Sequence, residues 1–410
     1  MRKLLSILLA ALIVMTACAP ALAQTEPHTI TIMHRWTGTN EAILGKVIEA
    51  FEAANPDVHV EVVAMAGQYF DLLQSMLADA AAGNDLPDLF IGGYNLLNYI
   101  AEEMNPTPID ALAPSQEAYD AFVARFDENI YNMTNYNGVQ VGVPYALSNM
   151  VLYYNKDIFK AAGLTEEDVP TTWAQVKDVS LKIVEKTDSN GIVIQCGDSW
   201  ADQALIYSAG GRILTEDGKK LAIDDEGTIR AYEMWQDLYK SGATPLIGNG
   251  EMNGEFIAGT VAMYATSIMK LASFNNSCAF EYGIAPCPSF EGHELKLTAG
   301  GAAAIPFAKT DADKDATWRL LNYMLSDEGM KTFVETGYLC VTNADVPVYA
   351  GQEVAYAQRP NAVAWTCWPG GSIGLEIDAA FLSDRLEILH NGADPTETLK
   401  RMCEEYNDLL

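Results

Sequence analysis

Positive charge is scarce in this chain of 410 residues: 25 Lys and Arg stand against 55 Asp and Glu, a formal net charge of −30. Such a surface repels polyphosphate chains and anionic headgroups, so neither nucleic acid nor an anionic membrane surface is expected as a partner. Histidine is sparse too. His28, His34, His59, His293 and His390 are scattered, and the sequence holds no H-E-x-x-H or C-x-x-C. Zinc-protease and zinc-ribbon chemistry therefore have no motif to stand on. Carboxylates are plentiful, but Asp224-Asp225 and Glu166-Glu167-Asp168 read as solvated caps and turns. No catalytic residue, metal site or cofactor is assigned, and an enzyme is not expected. Tandem repeats, low-complexity tracts and Gly/Ser-rich linkers are also missing. Two lobes would then have to be joined by strand-like crossings and not by a flexible tether.

Long apolar runs are missing except at the start. Arg2 and Lys3 precede an almost unbroken apolar stretch from Leu4 to Met15, which has the length of a signal-peptide core and is too short to span a bilayer. Two processing sites compete behind it. Met15-Thr16-Ala17-Cys18 resembles a lipobox in which Cys18 is lipidated, and Ala21-Leu22-Ala23 would release a soluble protein. The expectation is an exported protein, anchored at Cys18 on the outer face of the membrane or freely periplasmic. Six further cysteines, Cys196, Cys278, Cys287, Cys340, Cys367 and Cys403, permit disulfides in that compartment, with Cys278 and Cys287 the nearest pair. Small buried thiols are the alternative.

Periodicity gives an α/β pattern. Thr29 to Met33 reads as a strand. Ile43, Leu44, Val47, Ile48 and Phe51 then form one face of a helix, with Asn40 as the expected N-cap and Asn55-Pro56 as its stop. Val58, Val60 and Val62 alternate as a strand. A helix over Asp71 to Ala82 ends at Gly83, and Leu89-Phe90-Ile91 is a short buried strand. This β-α-β-α-β order predicts a mostly parallel sheet. Val151 to Tyr154 is strand-like, and Thr172-Trp173-Ala174-Gln175 has capping-box spacing ahead of a helix. Helices are further expected over Asp224 to Lys240, Ala316 to Leu325, Leu375 to Leu389, and from Thr396 onward, the last with Asp394 as cap and Pro395 in its first turn.

An ordered set of motifs carries a family resemblance. Phe51-Glu52-Ala53-Ala54-Asn55-Pro56 with its valine strand, and Pro87-Asp88-Leu89-Phe90, open the series. Tyr153-Tyr154-Asn155-Lys156-Asp157 and Pro170-Thr171-Thr172-Trp173 follow. Gly259-Thr260-Val261-Ala262-Met263-Tyr264, Tyr282-Gly283-Ile284-Ala285-Pro286, Gly300-Gly301 and Thr336-Gly337-Tyr338-Leu339 complete it. Together they resemble the family 1 extracellular solute-binding proteins of ABC importers. The resemblance implies a two-lobed Venus-flytrap fold, each lobe a mixed sheet flanked by helices, with a ligand cleft at the hinge. It implies a first lobe of residues 29–143 plus 282–336 and a second of 144–281 plus 337–410, with membrane permease subunits as partners of a monomeric binding protein.

The expected ligand is a carbohydrate, because aromatic faces cover sugar C–H surfaces while planar polar groups take the hydroxyls. Trp173, Trp235 and Trp318 fall in helical patterns and are expected in the core. Trp36, Trp200, Trp365 and Trp368 lie in loop-like contexts and are candidates for the cleft. Tyr69, Tyr94 and Asn95 follow strand ends, where ligands collect in open α/β sheets. The resemblance puts the crossings near Gly142-Val143-Pro144, Phe280 to Pro288 and Gly337-Tyr338: Tyr145 and Ser148 follow the first, Tyr264 and Ser267 follow Ala262-Met263, and Tyr338 sits at the third. Gly300 and Gly301 allow close backbone approach. His34-Arg35 lies where it can reach the cleft mouth. In family members that bind glycerol 3-phosphate, an arginine stands in the segment that here reads Trp365-Thr366-Cys367-Trp368. Its absence favours a neutral ligand over a phosphorylated one.

Overall fold

The computed structural model describes residues 26–410. The expected signal segment and Cys18 lie outside the described residues. The chain opens with strand β1 (His28–His34), helix α1 (Thr39–Ala54), β2 (Val58–Ala64), α2 (Tyr69–Ala82) and β3 (Leu89–Gly93). β1 pairs in parallel with both β2 and β3. α1 forms because Ile43, Leu44, Val47, Ile48 and Phe51 share one face, and all five are buried. Each such side chain contributes about 1.5–3 kcal/mol by leaving water. Asn40 is not the cap of this helix: Gly38 holds the cap position with φ of 60°, and Asn40 is buried in the first turn.

The sheet is completed by β4 (Val143–Ser148), while β5 (Met150–Asn155) already belongs to a second sheet. Next come α3 (Trp173–Lys186), β6 (Asn190–Ile194), α4 (Ser199–Ser208), α5 (Glu226–Lys240), β7 (Val261–Ser267) and β8 (Tyr282–Pro286). Thr172 caps α3 in the expected capping box with Gln175. After β9 (Leu297–Thr298), β10 (Gly300–Pro306) returns to the first sheet, and α6 (Asp311–Met324) and α7 (Asp327–Phe333) pack there. The chain ends with α8 (Gln352–Gln358), β11 (Ala362–Val363), α9 (Ser372–Leu389) and α10 (Pro395–Leu409), the last capped by Asp394 with Pro395 in its first turn.

The first sheet has the order β2-β1-β3-β10-β4 and the second β8-β5-β7-β6. In each, a parallel part is continued by antiparallel strands. Two strands sit on the other side of the expected lobe boundaries. Residues 144–148 pair with β10 in the first sheet, and residues 282–286 pair with β5 in the second. Pairing decides this, since a strand belongs where its backbone N–H and C=O groups find partners. The first crossing is then the single residue Asn149. Its carbonyl accepts from the Ile268 N–H at 3.1 Å, and its amide donates to the Ala355 carbonyl at 2.8 Å. All six cysteines in the described residues are free thiols, Cys278 and Cys287 included.

The second lobe has a charged core. The Arg385 guanidinium on α9 binds the Asp202 carboxylate on α4 and donates to the Cys196 carbonyl beyond β6. The Tyr232 hydroxyl on α5 donates to the same carboxylate at 2.6 Å. Both charges are almost completely buried. A buried pair can barely repay its desolvation, but removing one partner strands the other charge. Arg385→Ala is therefore expected to cost about 3–5 kcal/mol in urea unfolding. An unchanged midpoint would mean that this network contributes nothing to stability.

Candidate functional site

The strands of both sheets aim the same kind of end at the space between the lobes. Arg35 and Trp36 follow β1, Tyr69 opens α2 beyond β2, and Asn95 follows β3. From the second lobe, Gln195 and Asp198 follow β6, and Ser267 ends β7. Residues collect at such strand ends because loops there are free of ladder bonds. The walls are completed by Gly300 and Gly301 at the start of β10, by Tyr338, by Trp365, and by one face of α9.

Two cavities occupy this cleft and share Tyr69, Asp198 and Trp365. The smaller, about 50 Å³, is also lined by Arg35, Trp36, Ser148, Gln195, Trp200, Ser267, Met269, Gly300, Gly301 and Tyr338. The larger, about 220 Å³, adds Gln68, Phe70, Asp71, Asn95, Gly197, Leu375, Asp378, Ala379 and Leu382. Ten of the residues expected from the sequence thus meet in one place: Trp36, Tyr69, Asn95, Ser148, Trp200, Ser267, Gly300, Gly301, Tyr338 and Trp365.

The aromatic walls are held rigidly. The Trp36 indole N–H donates to the Tyr338 hydroxyl at 3.1 Å, and Tyr338 stacks on Phe333 with an interplanar angle of 7°. The Trp200 indole N–H donates to the Thr298 carbonyl at 2.8 Å. Trp200 lies in the first turn of α4 and not in a loop, with its backbone N–H on the Asp198 cap. Gly300 is required here, because a Cβ would lie 2.7 Å from both the Trp200 Nε1 and the Ser148 Oγ. Gly301 has φ of +127°, and a Cβ there would lie 1.9 Å from the Ala146 carbonyl oxygen.

Four expected wall residues pack elsewhere. Tyr94 points inward and donates to the Ala146 carbonyl at 2.8 Å. Pairing between β10 and β4 skips Tyr145, whose ring stacks on Phe333 at 4.2 Å. Tyr264 lies three residues before Ser267, and strand alternation turns it to the opposite face, among Phe256 and Phe274. Trp368 packs on Phe381 at 5.0 Å. The three tryptophans expected in the core, Trp173, Trp235 and Trp318, are buried.

Charge in the cleft was largely missed by sequence reasoning. The Arg35 guanidinium lies 4.7 Å above the Tyr69 ring centre. Burial, and next the charge of Arg35, push the Lys270 ammonium down to about 8. Asp198 is held above the usual carboxylate range by burial, against the pull of Arg35. Asp378 is pushed up to about 7, by burial first and then by the neighbouring Asp198 and Asp202 carboxylates. Arg385 and Arg359, the nearest cations to the late tryptophan segment in sequence, are engaged by Asp202 and Asp127 respectively. Two signals were available. Asp198 stands as a helix cap in the short loop after a strand, and Asp378 lies on the α9 face formed by Leu375, Ala379 and Leu382, at helical spacing.

The family description "Bacterial extracellular solute-binding protein" matches residues 36–331. The chain therefore belongs to that family, whose members bind solutes and catalyse no reaction. It is 27% identical over 352 residues to the sn-glycerol-3-phosphate-binding periplasmic protein UgpB of Brucella melitensis, covering 81% of this chain and 78% of that one. The cyclic alpha-maltosyl-1,6-maltose binding protein of Arthrobacter globiformis superposes with a TM-score of 0.75 at 25% identity, over 93% and 99% of the two chains. UgpB of Mycobacterium tuberculosis, solved with glycerophosphocholine, gives 0.79 at 22% identity, over 94% and 98%.

Asp378 makes stability depend on pH in a defined direction. Its folded-state value lies above that of a free carboxyl, so its ionisation opposes folding. The penalty is absent below about pH 4 and grows as pH rises from about 4 to about 7. Asp378→Asn should melt with the wild type at pH 4 and about 3 °C or more above it at pH 8. Equal melting temperatures at both values would place the carboxyl in a solvated site.

Proposed function

We propose that this protein is the extracytoplasmic binding subunit of an ABC importer that captures a mono- or oligosaccharide between its lobes and delivers it to membrane permease subunits. One observation carries the reading. Tyr69, Trp200, Tyr338 and Trp365 converge on one cleft with Gln68, Asn95 and Gln195, which supplies aromatic faces beside planar polar groups. The sheet pairing supports a first lobe of 29–148 plus 300–336 and a second of 150–286 plus 339–410, closing about Asn149. The protein acts as a monomer without nucleic acid as a partner. It is anchored through Cys18 or released after residue 23.

A phosphorylated polyol is the second reading. Relatives bear glycerol-3-phosphate-binding names, and the absence of an arginine in the 365–368 segment no longer argues against it. Arg35 lines the smaller cavity and supplies a cationic donor there.

A thermal-shift screen of the mature protein against sugars, polyols, polyol phosphates and amino acids separates these readings, because a native-state ligand raises Tm by mass action. A neutral mono- or oligosaccharide is expected to give the shift, and Trp365→Ala should weaken its binding at least about ten-fold, a loss of about 1.4 kcal/mol. A shift with sn-glycerol 3-phosphate alone would replace the carbohydrate reading by the second one.

A further inference from the structure

We infer that Gln203, which lines neither cavity, is the positioning residue for Trp365: its side-chain amide clamps the main chain of Thr366 and so fixes the aromatic wall that both cavities share. The inference rests on the reading of Trp365 as a wall of the sugar site, and it names the group that sets that wall in place.

The first observation is how differently the cleft tryptophans are held. The indole N–H groups of Trp36 and Trp200 donate to the Tyr338 hydroxyl and the Thr298 carbonyl, which fixes those rings directly. Trp365 is 5% exposed, and its indole N–H has no partner among the described residues. A ring without a polar anchor takes its place from packing and from its own main chain. On the N-terminal side that chain is held at Val363, whose carbonyl accepts from the Ala299 N–H at 2.8 Å. The two-residue strand β11 ends there, so Trp365 lies beyond its ladder. On the other side the first hold is Thr366.

The second observation is the partner of Thr366. The Gln203 amide donates to the Thr366 carbonyl at 3.0 Å and accepts from the Thr366 N–H at 2.9 Å. A primary amide carries donor and acceptor in one plane, so it serves both main-chain groups of one residue as a neighbouring strand would. An ionised glutamate lacks the donor, and methionine, of similar length, lacks the donor and offers only a weak acceptor. Gln203 is fully buried, and the Tyr207 hydroxyl reinforces the contact through Thr366 Oγ1. Trp200, Gln203 and Tyr207 fall at i, i+3 and i+7 of α4 and share one face. The same helix holds the preceding wall segment, through Trp200 on Thr298 and the Ser208 hydroxyl on the Lys296 carbonyl at 2.7 Å. One helix thus sets one tryptophan wall with its own ring and the other through a clamp on the main chain beside it. Without the amide, the Thr366 N–H and C=O lose their partners, and the segment must move to find others.

The test uses the mature protein labelled with 5-fluorotryptophan, in which Trp365→Phe and Trp318→Phe assign two of the fluorine resonances. Gln203→Met removes the amide with little change in side-chain length. In this variant, free of solute, the Trp365 resonance is expected to shift or broaden. The Trp318 resonance, from the first lobe, should stay in place and so report that the variant is folded. Calorimetric titration with glucose and with maltose gives the second readout. Gln203→Met should weaken sugar binding about ten-fold, and should weaken it no further in a Trp365→Ala background, where nothing is left to position. An unmoved Trp365 resonance, or losses that add in the double variant, would overturn the inference. The resonance is read without solute, so the two readings separate. A shifted resonance beside a wild type that binds neither sugar would keep the positioning role and remove these sugars from the carbohydrate reading.

Discussion

Two sheets of different strand order meet across a single residue. Asn149 ends β4 of one sheet and begins β5 of the other, and its carbonyl and side chain bind Ile268 and Ala355. β4 and β5 are each locked into a ladder, so no flexible tether joins the two sheets here. The chain passes between them again over residues 287–299 and at Gly337–Leu339. The cleft residues sit next to these same crossings: Ser148 precedes the first, Gly300 follows the second, and Tyr338 lies in the third.

The second lobe supplies the electrostatic counterpart. Arg385 is clamped to Asp202 and the Cys196 carbonyl, and it stands two turns along α9 from Asp378. The helix is thereby pinned to α4 and to the end of β6, which bear Asp198 and Trp200. Burial then does the rest. Asp378 and Asp198 are both held above the usual carboxylate range, Asp198 against the pull of Arg35. The smaller cavity contains that cation, laid on Tyr69. The two cavities meet at Tyr69, Asp198 and Trp365.

Much of this was legible beforehand, for identifiable reasons. Local patterns such as the buried face of α1, the Thr172 capping box and the Asp394-Pro395 start depend on spacing alone. Ten cleft residues were legible because strand ends and glycine pairs mark them. The failures are equally local. Tyr264 and Ser267 lie three residues apart on one strand, so their side chains point to opposite faces. Tyr145 falls where the β4 register slips, which no periodicity reveals. The family resemblance implies lobe boundaries beside strands 144–148 and 282–286, whereas the sheet of each is decided by partners more than a hundred residues away. Asp198 and Asp378 went unnoticed because single carboxylates carry no motif in a chain with 55 acidic residues.

The unpaired cysteines bear on how an exported chain reaches this fold. Burial holds the thiols of Cys196, Cys278, Cys367 and Cys403 up at about 11, and Cys287 higher still. Very little thiolate is present at neutral pH, and thiolate is the species that attacks a disulfide or an oxidant. Folding of the described residues then requires no disulfide to be made or reshuffled, and these five thiols stay in their less reactive protonated form.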